Sequence, residues 1–263
     1  MSSVHVDALG LAGPGMASWA DAVTVLADES SYRGGENPPC MSKLLPANER
    51  RRVSSTVRLA LKVAEEAMTQ SSLAMDGVCS VFATRDGDTE ILDRICVALT
   101  QPDRPVSPIQ FHNSVHNAAA GYWAIAAHSS MPSTTVSAYG ASFVAGLMEA
   151  WAQLQVEARP VLLVAYDQAP PEPLAAFTGA YPPFAVAMVL SPDATAQSTG
   201  LSIETVNQQP VEAMACRDLE RLRVSNPAAG GLPLLRALAA GVPGRVILPH
   251  VNGLQLAVNV DEK

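Results

Sequence analysis

The chain has 263 residues, of which 48% are hydrophobic, 16% charged and 5% aromatic. That balance excludes a disordered, collagenous or disulfide-scaffold protein and supplies ample core material. The 25 acidic residues outweigh the 17 basic ones for a net charge of -8, which argues against a broad basic footprint for a nucleic-acid backbone, although local basic patches stay open.

Val4 to Leu11 alternates and runs into the glycine-rich turn Gly10-Leu-Ala-Gly-Pro-Gly15, the pattern of a first strand and its exit loop. Those glycines have neither GxGxxG nor Walker spacing, so they make a poor phosphate loop. Trp19 to Ala27 reads as a short helix. Asp28 to Lys43, rich in Gly, Pro, Ser and Asn, reads as a loop long enough to be functional or mobile. From Pro46 to Gln70 the period is helical, with Asn48 as N-cap and Val53, Val57, Leu61, Ala64 and Met68 along one face. Arg50, Arg51 and Arg52 fall in its first turns, the dipole end that cations do not complement. They form either a solvated basic face or a docking spot for an anionic partner.

Val78 to Ala83 predicts a strand, Thr84-Arg-Asp-Gly-Asp88 a turn, and Thr89 to Thr100 a helix with Ile91, Leu92, Ile95 and Leu99 as its apolar positions. Pro102, Pro105 and Pro108 punctuate the chain before an alanine-rich helix from Asn113 to His128. Thr134 to Ser137 is a brief strand and Ser142 to Val156 a helix with small residues on its face. Pro160 to Tyr166 is a continuous apolar strand of the kind buried on both sides. To this point strands alternate with helices, as in a wound α/β unit. Ala169 to Pro183 is a proline-rich excursion. Phe184 to Leu190 and Leu201 to Val206 return as strands, Gly231 to Ala240 is a short helix, and Val246 to Leu248 with Leu254 to Val260 suggests a hairpin around His250-Val-Asn-Gly253. No fixed-period repeat or linker divides the chain, so residues 1–263 are expected to form one domain.

Cys40, Cys79, Cys96 and Cys216 are dispersed, with no CxxC or CxH spacing, and read as ordinary buried cysteines of a reducing compartment. The start, Met1-Ser-Ser-Val-His-Val-Asp, has no basic segment followed by an apolar one, so no secretory signal is expected. The longest smooth apolar stretch, Asn117 to Ala127, falls far short of the roughly 20 residues that span a bilayer. A cytoplasmic protein with no membrane contact is expected.

His112 and His116 lie four apart in Phe111-His-Asn-Ser-Val-His-Asn117. On one helix they would share a face suited to a metal, but the HExxH glutamate and a third ligand are missing. Helix capping or a hydrogen bond across a subunit contact is the favoured reading, and no metal or cofactor is implied. A serine hydrolase needs a nucleophile elbow, and Gly140-Ala-Ser-Phe-Val-Ala-Gly146 lacks the GxSxG spacing. Ser142 therefore reads as an N-cap. His250 with an acidic partner stays open as a triad remnant.

The segment Ser107 to Ala150, SPIQFHNSVHNAAAGYWAIAAHSSMPSTTVSAYGASFVAGLMEA, resembles the central stretch of β-ketoacyl synthases. Ser107-Pro108, Asn117, Gly121, Pro132-Ser133 and the small-residue helix after Ser142 all fall where that family has them. The resemblance implies an α/β, thiolase-like layered fold with a truncated second half: residues 1–190 form the first α/β half and 191–263 a reduced second one. It also places Gly140 where the family carries its acyl-accepting cysteine. No cysteine lies within 40 residues, and no HGT-type histidine motif follows. With Arg50-Arg-Arg-Val-Ser, the FATRDGD turn and the PVLLVAYD strand, residues 45 to 190 resemble short, chain-length-factor-like subunits of aryl-polyene and type II polyketide clusters.

Such a subunit, as the resemblance implies, has no activity alone and pairs with an active ketosynthase through the strand Thr134 to Ser137, extending a sheet across a heterodimer. Phe111, Tyr122 and Trp123 could then wall an acyl tunnel or be core aromatics. Tyr139 becomes a candidate pocket plug, His112, His116, Asn117 and Ser142 further interface candidates, and Arg50, Arg51 and Arg52 contacts for an acyl-carrier protein. Two other classes stay open: a stand-alone acyltransferase or thioester hydrolase using Ser142 or His250, and a non-catalytic homodimeric acyl-binding scaffold.

Overall fold

Residues 4–37, 40 and 42–261 are described by the computed structural model. Its strands are β1 (Val4–Ala12), β2 (Cys79–Ala83), β3 (Ser133–Val136), β4 (Val161–Asp167), β5 (Phe184–Ser191), β6 (Thr199–Asn207), β7 (Gly244–Pro249) and β8 (Leu254–Val260). They join in one sheet ordered β3-β2-β4-β5-β1-β6-β8-β7. β2 is parallel to both β3 and β4, while β4–β5, β5–β1, β1–β6, β6–β8 and β8–β7 are antiparallel. The wound, parallel character is thus confined to one end. Residues 191–263, expected as a reduced second half, complete the same sheet through β6, β7 and β8.

The helices are α1 (Trp19–Ala27), α2 (Ala47–Arg50), α3 (Ser55–Gln70), α4 (Thr89–Thr100), α5 (Pro108–Asn113), α6 (Ala118–Ala127), α7 (Ser142–Glu157), α8 (Ala175–Thr178), α9 (Arg217–Ser225) and α10 (Leu232–Ala240). They cover both faces of the sheet. Along β4, Val161, Leu163 and Ala165 join the core beneath α1, α7 and α10, while Leu162, Val164 and Tyr166 join the core beneath α3 and α6. That is the period-2 alternation of a strand buried on both sides. Each fully buried Leu or Phe contributes about 1.5–3 kcal/mol relative to exposure. α7 lies especially close to the sheet: a Cβ on Gly146 would come within 2.6 Å of Ala83 and 2.9 Å of Leu163.

Four sequence expectations change. The helix expected over Pro46 to Gln70 is broken. α2 ends at Arg50 and α3 begins after Ser54, whose Oγ accepts from Val57 N at 3.2 Å. A serine that caps so readily competes with helix continuation, and Asn48 caps nothing. The helix expected over Asn113 to His128 begins only at Ala118, and a separate α5 precedes it, because Ser107 accepts from Gln110 N with Pro108 at the first helical position, a start signal read above as punctuation. α4 has the expected bounds but buries only Ile91, leaving Leu92 and Leu99 exposed. Of the four cysteines expected to be buried only Cys79 is, with Cys96 exposed and Cys40 and Cys216 half-buried. α9, apolar only at buried Leu219 and Leu222 and exposed Val224, had no sequence expectation. Of the expected loop Asp28 to Lys43, positions 38, 39 and 41 lie outside the described residues, as do positions 1–3, 262 and 263.

Candidate functional site

β2, β3 and β4 run parallel, so their carboxyl ends open together, the place where α/β sheets gather ligands and side chains. At the end of β4, Asp167 is 2% exposed. Its Oδ1 accepts from Thr84 Oγ1 and from Arg85 N, both at 2.9 Å. Its Oδ2 is buried and has no hydrogen-bond partner among the described residues. Burial pushes this carboxyl up to about 7, against the lowering pull of the Arg85 amide, the Thr84 hydroxyl and the Arg85 charge.

Arg85 leaves β2 under that restraint and is itself buried. Its Nη2 donates to Tyr181 Oη at 2.9 Å and its Nε pairs with Asp86 Oδ2 at 2.5 Å. The guanidinium lies 5.0 Å from the centre of the Tyr181 ring and 5.6 Å from that of Tyr139, distances at which a ring face attracts a cation. Ser137 Oγ donates to Arg85 O at 2.8 Å, which ties the end of β3 to the same loop. Asn226 Nδ2 donates to Asp167 O at 3.2 Å and to Pro182 O at 2.9 Å.

The turn between β3 and α7 is an elbow. Tyr139 has φ +53, a conformation that non-glycine residues adopt at a cost, although Gly140 stands next to it. Ser142 is fully buried; its Oγ accepts from Ala138 N at 3.1 Å and donates to Tyr139 O at 2.8 Å. It therefore braces the elbow from inside α7 rather than capping the helix, because Ala141 holds the cap position. Tyr139 is 72% exposed. Its side chain stands at the surface of the chain rather than in its core. Gly140 is exposed, and a side chain there would meet nothing within 4 Å.

α5 and α6 form a wall at this edge of the sheet, α6 packing against β2 and β3. Phe111, His112, Val115, Asn117, Gly121, Tyr122 and Ile125 line most of a hollow of about 530 Å³. Phe111 is 68% exposed. Tyr122 is buried and donates its Oη to Asn113 Oδ1 at 3.0 Å. Trp123 faces the opposite way, 1% exposed in the core beneath α3, which removes it from any tunnel wall. His112 stacks edge-on against Tyr122, while His116 sits in the turn between the helices against Gly87. They do not share a helix face. Among the described residues no group of three or more His, Cys, Asp or Glu side chains is arranged to hold a metal ion.

Arg50, Arg51 and Arg52 are exposed at the corner between α2 and α3. Arg52 pairs with Glu49 at 3.2 Å; Arg50 and Arg51 have no ion pair among the described residues. Arg58 and Arg94, which sequence reasoning passed over, line a hollow of about 320 Å³ with Arg51 and Arg52. His250 lies in the β7–β8 turn opposite Asn207, at the far end of the sheet from the elbow, as the strand registers require. It cannot serve Ser142. Arg85, Asp167 and Tyr181 were also missed; their only sequence signal was the polar FATRDGD turn and the aspartate ending the apolar β4 run.

The family model described as "Beta-ketoacyl synthase, N-terminal domain" matches residues 25–237. A search of curated protein sequences returns no match. Among solved structures, a chain from the ketosynthase ApeO in complex with its chain length factor ApeC, from Xenorhabdus doucetiae, aligns with a TM-score of 0.76 at 22% identity, covering 98% of this chain and 99% of that one. The ishigamide ketosynthase/chain length factor aligns at 0.74 with 14% identity and covers 98% and 99%. A β-ketoacyl synthase from Burkholderia phymatum aligns at 0.69 with 9% identity over 100% of both chains. At these identities the likeness is one of fold. No helix among the described residues is long and apolar enough to cross a membrane.

Proposed function

The chain belongs to the β-ketoacyl synthase family, and on that premise we propose that it is a catalytically degenerate, chain-length-factor-like subunit that pairs with an active ketosynthase. The observation that carries this reading is the content of the elbow entering α7. A helix N-terminus lowers a thiol pKa and offers backbone N–H groups to an oxyanion, yet Tyr139-Gly-Ala141 supplies no thiol. The one hydroxyl following it, Ser142, is buried and committed to Ala138 N and Tyr139 O.

Pairing is supported by the two ends of the sheet. β7 is blunted by Arg245 and by Pro249 within the strand, devices that protect an edge. β3, Ser-Thr-Thr-Val, has no charge and no proline and is partly exposed. It adjoins the exposed apolar α5–α6 face, so sheet extension and apolar burial can occur together. Solved relatives described as a ketosynthase with its chain length factor, and one with an acyl-carrier protein, support a ketosynthase partner and a carrier protein; for the latter the exposed Arg50, Arg51 and Arg52 are the docking surface we propose. We place the complex in the cytoplasm, where it shapes a growing polyene or polyketide chain.

The test is co-expression with a cysteine-bearing ketosynthase of the same genome. A stable heterodimer whose condensation activity vanishes with the partner's cysteine is the expected result. A homodimer that ignores the ketosynthase favours an acyl-binding scaffold. Thioester cleavage by this chain alone, lost in Ser142→Ala, favours a stand-alone hydrolase or acyltransferase; the separation of Ser142 from His250 argues against it.

A further inference from the structure

We propose that Arg85 is a positioning residue that holds Tyr139 outward as a preformed anchor for the partner subunit. This rests on the pairing reading above and adds to it the residue pair that organises the contact.

Three observations make the arrangement hard to explain by the stability of this chain alone. First, Tyr139 adopts φ +53 when a glycine one position later could have taken that conformation freely. Second, its ring is 72% exposed, so the strained backbone returns little burial. Third, a buried guanidinium is placed beneath the ring, 5.6 Å from its centre, and burying a charge is costly unless its partners are good. The partners are good. Asp86 and Tyr181 fix the guanidinium, Asp167 fixes the Arg85 backbone, and Ser137 and Ser142 hold the two sides of the elbow.

A large aromatic with its rotamer and backbone set before binding is the form that interface anchors take, since little ordering entropy is left to lose. Tyr139 also stands just beyond the end of the open edge strand β3, and the loop carrying Arg85 passes near His116, beside exposed Val115, at Gly87, where a Cβ would lie 3.5 Å from the imidazole. The partner it fits is therefore the ketosynthase subunit that covers that edge, offering an apolar pocket to the ring.

A double-mutant cycle on pairing tests this. The Kd of this chain with the co-expressed ketosynthase is measured by isothermal titration calorimetry, and the Tm of each variant is recorded alongside. Tyr139→Ala, a surface change that leaves Tm in place, is expected to weaken pairing by roughly tenfold or more. Tyr139→Phe retains affinity, because the ring is the anchor. Arg85→Gln weakens pairing to a similar degree, Arg85→Lys recovers most of it, and Arg85→Gln adds less than about twofold in the Tyr139→Ala background. Wild-type affinity in Tyr139→Ala overturns the proposal and leaves the pairing reading intact; losses that multiply overturn the positioning role of Arg85. Absence of any pairing by the wild-type chain overturns the pairing reading itself. If Arg85→Gln does not fold, Tyr139→Ala and Arg85→Lys decide the matter.

Discussion

The Asp167 carboxylate accepts the Arg85 N–H at 2.9 Å across 82 residues of sequence, so the end of β4 sets the course of the loop leaving β2. Burial raises the Asp167 carboxyl from its ordinary 3.8 to about 7, and the folded chain holds a proton that the unfolded chain has released. The stability linked to that proton is complete below about pH 4 and is lost as pH rises through about 7. Asp167→Asn keeps an oxygen for Thr84 and Arg85 and cannot ionise. Between pH 5 and 8 the wild type is expected to lose on the order of 2–3 kcal/mol relative to this variant, measured by urea unfolding at several pH values. A gap that stays constant across the range counts against the raised carboxyl.

Sheet extension depends on which backbone groups β3 leaves open. Ser80 N donates to Pro132 O and Thr84 N donates to Val136 O. A parallel ladder alternates, so the N–H and C=O groups of Ser133 and Thr135 face the free edge. Thr135→Pro removes one outward donor and spares the pairing with β2, and edge strands tolerate proline. It should weaken heterodimer formation by roughly tenfold while Tm of the free subunit moves by only a few degrees, checked by size exclusion and thermal unfolding. Unchanged association would show that the partner does not add to β3.

How much of this was legible in the sequence depends on whether the cause was local. β4 and β5 are continuous apolar runs, and α4 starts where Asp88 accepts from Ile91 N, so their bounds could be read directly. The break before α3 was hidden because Val53 continues the apolar face across it, and only Ser54, acting as a cap, reveals the interruption. The turn into α7 carries its positive φ at Tyr139, one residue before the Gly140 that the resemblance sets in the nucleophile's place. The supports beneath it could not be read. Arg85, Asp167, Tyr181 and Asn226 come from four separate segments and meet only when β2 and β4 pair.

Packing of α7 rests on one glycine. Gly146→Val places methyl groups against Ala83 and Leu163, already within 2.9 Å of a bare Cβ, where side chain and sheet cannot both relax. A loss of about 1–3 kcal/mol or more is expected, read by denaturant unfolding. Because α7 carries Ser142, the variant should also disturb the elbow. A fully stable Gly146→Val chain would mean that α7 stands further from the sheet.

Charge reversal at the arginine corner separates the three residues that sequence grouped together. Arg52 is already paired with Glu49, so Arg52→Glu should cost carrier-protein affinity less than Arg50→Glu or Arg51→Glu. Each of the latter should weaken binding by roughly tenfold at low ionic strength, and the differences should shrink as salt screens exposed charges. Fluorescence anisotropy of a labelled carrier protein across a salt series measures this. Equal effects at all three positions, or none, would move the docking site elsewhere.

Gly121 gives the most direct handle on chain length. It is exposed on α6, it lines the hollow of about 530 Å³ with Phe111 and Ile125, and a Cβ on it meets nothing within 4 Å. The hollow can therefore accept a side chain without displacing any of this chain's own atoms. Gly121→Phe leaves the fold in place, because leaving glycine inside a helix favours the helix by up to about 1 kcal/mol, and it fills part of the space that the heterodimer would leave for acyl chain. Product analysis of the reconstituted complex by mass spectrometry should show a shift toward shorter chains at unchanged pairing affinity. An unaltered product distribution, with Kd also unaltered, would place the hollow outside both the acyl path and the partner contact.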